Sequence, residues 1–257
     1  MAPSDRISLA RLYEIVDGLA RRKPKRHWLK DFEQGIAVDR LKLKHFLHIE
    51  EDLAGLDAAA WGYIKKEILG RSDRWNMERG WEEVLNIANE AKAYRYLKDL
   101  GCSDISFISR TKDHKTPDLQ ARHNGTLVLC EVKTLNILSD EANARQHSLA
   151  RDIQLKLPEA FFKKMRSRFN DAAGQIDAFD AEAETRRIIF AVVNFDDNLN
   201  EYLSEHMHQI HAELMTWPAG DIEYVFDVKP RFYSATPLGP PGHRFVFAKD
   251  RIWRQIT

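Results

Sequence analysis

Two short stretches carry residues whose types and spacing can do chemistry together. One is Thr116-Pro117-Asp118, and the other is the run from Thr126 to Lys133, Thr-Leu-Val-Leu-Cys-Glu-Val-Lys. The two-residue period of a strand puts Leu127, Leu129, Glu131 and Lys133 on one face and Val128, Cys130 and Val132 on the other. A carboxylate and an ammonium therefore project side by side from the end of an apolar run. Pro117 ends whatever precedes it, and Asp118 opens the alternating piece Asp-Leu-Gln-Ala, so a second carboxylate can reach the same sheet edge from a neighbouring strand. Two acids and a lysine converging there can hold a divalent metal and activate a water.

The elements around these stretches must deliver them to one place. Asn124-Gly125 between the two apolar pieces is a strong hairpin signal, so the strands bearing Asp118 and Glu131 pair antiparallel. Upstream, a helical stretch from Trp75 to Leu100 ends at Gly101, a residue suited to the position just past a helix. On it Glu90 shares a stripe with Ile87, Ala93, Tyr94 and Leu97, which is costly for an acid without a cationic partner; Glu83 is the rival acid, and a marginal, solvent-reaching Glu90 is the bland alternative. Downstream, Pro158 starts a helix whose apolar stripe runs from Phe161 through Met165 and Phe169 to Ile176, beside a polar row of Lys164, Arg168 and Gln175. The nearly all-apolar run Arg187 to Phe195 reads as a strand buried on both faces, reached by a parallel crossover through that helix.

Farther out the signals are weaker. Residues 8–74 read as helices through Leu9–Leu19, Leu41–Leu47 and Ala58–Ile68, interrupted by the basic run Arg21 to Lys30, which can grip phosphates with Trp28 stacking or be a solvated loop. The polar stretch 136–154 holds Arg145, His147 and Arg151, placed to approach a substrate. A helix from Asn198 to Met215 carries His206, His208 and His211, whose spacing fits a solvated polar face better than a metal pair. A strand from Ile222 to Val228 and an edge strand at Phe245–Ala248 close the reading, with a proline-rich loop between them.

Composition bounds these readings. Lysine plus arginine equals aspartate plus glutamate at 39 each, which excludes a global basic field, so any nucleic-acid surface is local. Cys102 and Cys130 are too few for a disulfide framework or zinc site and fit a reduced, cytoplasmic setting. No apolar run approaches a membrane span, and the first residues lack a signal-peptide pattern.

The order helix, three strands, helix, strand, with Pro-Asp before one strand and Glu-x-Lys ending the next, resembles the PD-(D/E)xK nuclease superfamily over roughly Trp81 to Phe195. The resemblance implies an α/β, restriction-endonuclease-like core, αβββαβ with a mixed sheet flanked by helices, in residues 75–257, preceded by an all-helical module in 1–74. It implies a Mg2+- or Mn2+-dependent nuclease acting on nucleic acid, with DNA the first expectation. Asp118, Glu131 and the Val132 carbonyl would hold the metal, Glu90 would join directly or through water, and Lys133 would orient the attacking water or stabilise phosphoryl charge. Lys164, Arg168 and Gln175 match the basic or glutamine positions of the following helix, loosely, as substrate contacts. Many members form homodimers to cut two strands. The alternatives are an inactive nuclease-like module that binds nucleic acid or a protein partner, and a helical N-terminus that is itself the functional interface.

Overall fold

Apolar side chains at Phe161, Met165, Phe169, Ala172 and Ile176 fall on one stripe of a 3.6-residue helix, and all five are buried. That stripe needs a sheet to cover, and the chain supplies one. The computed structural model describes residues 8–74, 81–110, 115–135, 155–180, 184–194, 203–218, 220–229, 243–247 and 253–256. The expected substrate loop with Arg145, His147 and Arg151, and the proline-rich loop at 230–242, lie outside them. Among the described residues there are seven helices and a seven-stranded sheet. The chain divides into two compact units, Met1–Leu100 and Gly101–Thr257.

In the first unit, α1 (Ala10–Arg22), α2 (Phe32–Val38), α3 (Arg40–Ala54), α4 (Ala58–Arg71) and α5 (Glu82–Asp99) pack around Leu12, Ile15, Leu53, Ile64 and Ile68. The short α2 falls where the sequence reading drew no helix. Its seven residues, entered through the left-handed Asp31, give too short a period to read. Acids serve this unit structurally, one of them, Glu50, buried. Glu50 accepts hydrogen bonds from the backbone N–H groups of Arg11 and Leu12, at 2.8 and 2.9 Å, at the start of α1. Asp57 caps α4 through the Ala60 N–H and accepts the Tyr94 hydroxyl. α5 packs on α3 and α4, with Arg95 paired to Glu51 and Asp52. The compact units therefore part at Leu100 rather than at the join near 74 drawn from the sequence.

In the second unit, β1 (Ser103–Phe107), β2 (Leu119–His123) and β3 (Thr126–Leu135) form an antiparallel meander. Asn124 and Gly125 both have positive φ, 51° and 84°, the conformation a two-residue hairpin of right twist requires. From β3 the chain crosses through α6 (Glu159–Phe179) to a parallel β4 (Arg186–Asn194), then through α7 (Leu203–Met215) to a parallel β5 (Ile222–Lys229). Two antiparallel strands, β6 (His243–Phe247) and β7 (Trp253–Ile256), complete the order β1-β2-β3-β4-β5-β6-β7. β7 was not expected, because four residues carry too little alternation to read as a strand. The arrangement is α/β with a mixed sheet.

α6 and α7 cover the face bearing Leu129, Leu135, Ile189, Ala191 and Phe226. The opposite face, with Val128, Cys130, Ile188, Phe190 and Val192, is equally buried, which explains why β4 reads as continuously apolar. No helix among the described residues is long and apolar enough to cross a membrane.

Phe169 is the packing centre of the α6 face, 1% exposed and stacked on Tyr224 at 5.3 Å between ring centroids. Phe169→Ala should destabilise the protein by about 3–5 kcal/mol, whereas Met165→Leu should cost under about 1.5 kcal/mol, as read by urea unfolding. Equal midpoints for the two variants would contradict this packing.

Candidate functional site

β3 alternates as expected: Leu129 and Glu131 point to the α6 face, and Lys133 follows them. Because Leu129 and Leu135 must be buried there, Glu131 between them is carried inside with only 3% exposure. Its Oε1 accepts a hydrogen bond from Lys133 Nζ at 2.5 Å. Its Oε2 is buried and meets no donor. Lys133 Nζ also donates to Gln175 Oε1 at 3.0 Å, and Gln175 Nε2 donates to the Thr116 carbonyl at 3.3 Å. The α6 glutamine therefore ties the lysine to the segment that leads into β2.

Asp118 reaches the same place from the start of β2. Its Oδ2 accepts the Val132 N–H at 2.9 Å, its Oδ1 accepts Arg110 Nη2 at 3.1 Å, and its carbonyl accepts the Ile108 N–H. The register accounts for a further polar group. His123 pairs with Thr126, Ala121 with Val128 and Leu119 with Cys130, where the pairing ends; continued by one more pair of that kind, the register would set Pro117 opposite Val132. Proline has no N–H, so at that register it can give the Val132 carbonyl no ladder bond. Asp118 supplies the acceptor for the Val132 N–H in its place.

Burial pushes the Glu131 carboxyl up to about 8, the charge of Asp118 adds to this, and the charge and hydrogen bond of Lys133 oppose it. Two carboxylates and one lysine thus meet beside the Val132 carbonyl in the β2–β3 pair. These are hard oxygen donors of the kind Mg2+ and Mn2+ prefer, and the donor-less Glu131 Oε2 fits a cation. Among the described residues no group of three or more His, Cys, Asp or Glu side chains gathers as a metal-ligating cluster.

The other expected site residues are distributed differently. Gln175 belongs to the site through Lys133. Lys164 and Arg168 lie on the same row of α6, roughly 16 and 10 Å along the axis from Gln175 at 1.5 Å per residue. Arg168 is exposed and Lys164 half-buried. Glu90 is 4% exposed on α5, in the first unit. The solvent-reaching alternative for it is therefore excluded, whereas its rival Glu83 is an exposed ion-pair partner of Arg71 and Arg74. The expected solvated face of α7 holds for His208, which is exposed, but not for His206, which is 4% exposed, nor for His211, whose ring packs on Phe247 at 5.6 Å. Trp28, expected as a stacking platform, is half-buried against Phe46 at 5.9 Å.

Arg110 escaped the sequence reading. It stands eight residues before Asp118, just past β1, and only the pairing of β1 with β2 brings it to the carboxylate. Compared with protein-family models, with curated proteins and with solved structures, the chain has no match.

The raised Glu131 carboxyl makes a stability prediction for the metal-free protein. The folded state keeps a proton that the unfolded chain, titrating near 4.5, releases, so this stabilisation is complete below about 4.5 and is lost as pH rises through about 8. In EDTA the thermal midpoint should fall between pH 5 and 8.5, and Glu131→Gln should flatten that slope. A parallel slope in the variant would place the titration elsewhere.

Proposed function

We propose that the chain is a metal-dependent nuclease that hydrolyses phosphodiester bonds of nucleic acid, with DNA the preferred substrate class. One observation carries the reading. A buried carboxylate faces a second carboxylate, has one oxygen without a donor, and lies within 2.5 Å of a lysine. Two acids kept together in a protein interior repel one another, and a bound cation removes that cost.

The element order α5-β1-β2-β3-α6-β4, with Pro117-Asp118 before β2 and Glu131-x-Lys133 within β3, supports a restriction-endonuclease-like core. On this reading the nuclease domain takes in α5 and runs from Trp75 to the end of the chain, although the compact units part at Leu100. Asp118, Glu131 and the Val132 carbonyl would hold Mg2+ or Mn2+. The family resemblance alone names Glu90, on α5 in the first unit, as a further acid. Such a metal supplies Lewis acidity to the phosphoryl oxygens and lowers the pKa of a bound water.

The chain's own groups have separate tasks. Asp118 is aimed by the Val132 N–H. Lys133, held between Glu131 and Gln175, presents a positive charge to the attacking water or to the phosphoryl oxygens. Gln175 is a positioning residue, since it acts through Lys133. Arg110 is 44% exposed on Asp118 and can move to a substrate phosphate when a metal takes its place.

A second reading has its own observation. Arg110 and Lys133 already give each carboxylate a cationic partner, so the same core can stand as a non-cutting module that binds nucleic acid or a protein. Metal titration separates the two. In the nuclease reading, Mn2+ binds with a dependence on Asp118 and Glu131, and Arg110→Ala tightens binding by removing a competing cation.

The decisive assay incubates the protein with single-stranded, double-stranded and branched DNA and with RNA, in Mg2+, Mn2+ or EDTA. Cleavage should require the metal, and Lys133→Ala should lower kcat by about 10²- to 10⁴-fold. Cleavage that persists undiminished in both Asp118→Ala and Lys133→Ala would sink the assignment.

A further inference from the structure

We infer that the first unit carries a second, metal-independent binding site for the sugar-phosphate backbone of nucleic acid, in a basic groove where the end of α1 meets the outer face of α4. The choice of nucleic acid as the occupant rests on the nuclease reading; the groove itself rests on its own geometry. It is an open depression of about 700 Å³ lined by Arg22, Lys65, Lys66, Arg71 and Arg74 against the single acid Glu67. In a chain with no net charge, such a local excess is where a polyanion is attracted.

The groove is built by contacts between distant parts of the sequence. Arg22 donates to the Leu69 carbonyl, and the Trp28 N–H donates to the Ser72 carbonyl at 2.9 Å. The basic run Arg21 to Lys30 is thereby fastened to the C-terminal end of α4, beside Arg71 and Arg74. Gly18 permits this approach, because a Cβ there would lie 3.0 Å from the Leu69 side chain.

Two features in and beside the groove run against local stability. Gly62 and Gly70 lie four residues either side of Lys66 on α4, and a Cβ at either would meet nothing within 4 Å, so packing does not require glycine there. Glycine is among the poorest helix formers, and here it leaves the helix backbone bare around an exposed lysine. Lys23, which follows Arg22 at the end of α1 and lies outside the groove's lining, adopts the left-handed conformation, φ 50°, where glycine is the usual occupant. A cation is thus retained at a strained position and side chains are left out where they would be tolerated. Both choices suit the close approach of a charged backbone.

Some of the charge is already engaged. Lys65 pairs with Glu14, Arg71 with Glu67 and Glu83, and Arg74 with Glu83. Lys66 is exposed and has no acidic partner among the described residues, which makes it the residue to test. Leu69 is the one apolar side chain of the lining, so the groove offers no surface for insertion into a lipid interface.

The test uses the full chain in EDTA, with a fluorescent single-stranded DNA and the matching duplex, by anisotropy over a series of salt concentrations. Wild type should bind with an affinity that falls steeply with salt, and Lys66→Glu should weaken binding about tenfold and lower the salt slope by about one or more. Gly62→Glu should weaken binding while raising the thermal midpoint, an outcome that a purely structural role cannot produce. Lys163→Glu, an exposed charge reversal on α6, should leave binding unchanged. The inference is overturned if wild type does not bind, if Lys66→Glu and Lys163→Glu act alike, or if polyglutamate displaces the DNA at equal charge, which would make an acidic protein the occupant. Binding in EDTA without any cleavage in Mg2+ or Mn2+ would reject the nuclease reading and leave the groove standing.

Discussion

The burial of the Glu131 carboxylate is the constraint from which the second unit is best understood. A strand cannot expose one residue of a face whose neighbours two positions away are in the core, so burying Leu129 under α6 takes Glu131 inside with it. An interior carboxylate is costly unless something positive or a proton accompanies it. Lys133 answers for one oxygen, and Gln175 and Thr116 hold the lysine in position. The other oxygen has no such answer within the chain.

Other acids of the protein, buried Glu50 and exposed Asp57, show why this one is different. Glu50 is also taken out of water, and burial raises its pKa, but both its oxygens receive backbone N–H groups that would otherwise be unpaired at the start of α1. Asp57 caps α4, and its carboxyl is held down chiefly by the Ala60 N–H. Those acids complete the backbone hydrogen bonding of helices. Glu131 completes nothing of the kind. It faces Asp118, which brings more negative charge, and the Thr116 hydroxyl of the segment leading into β2 is also buried without a partner. Burial alone is a poor marker of a site, whereas burial with unmet polar capacity on several atoms at once is a better one.

The first unit distributes its charge in another manner. Its acids and bases are mostly matched, as with Arg95 between Glu51 and Asp52, and Glu14 under both Trp61 and Lys65. Where α1 and α4 meet, positive charge is in excess, and there Arg22 spends a hydrogen bond on a carbonyl rather than on an acid. A chain whose total charge is zero can therefore still present a polyanion with a favourable surface.

Local periodicity was enough to reveal much of this protein from its sequence. The β3 alternation, the Asn124-Gly125 turn, Gly101 past the end of α5 at φ 84°, and the α6 stripe are all decided by neighbours within a turn or a pleat, so residue order determines them. Asp118, Glu131 and Lys133 were legible for the same reason, since a hairpin fixes which residues of two strands share an edge. What only the tertiary structure decided lies between segments far apart in sequence. Arg110 on Asp118 needs the β1–β2 pairing, Gln175 on Lys133 spans 42 residues, and Arg22 on Leu69 spans 47. Whether Glu90 and His206 would be buried depended on which face of each helix met a partner. A sequence dictates the period of a face through short-range geometry, but which other face covers it, and so which charge is left without an answer, is settled only when the whole chain has packed.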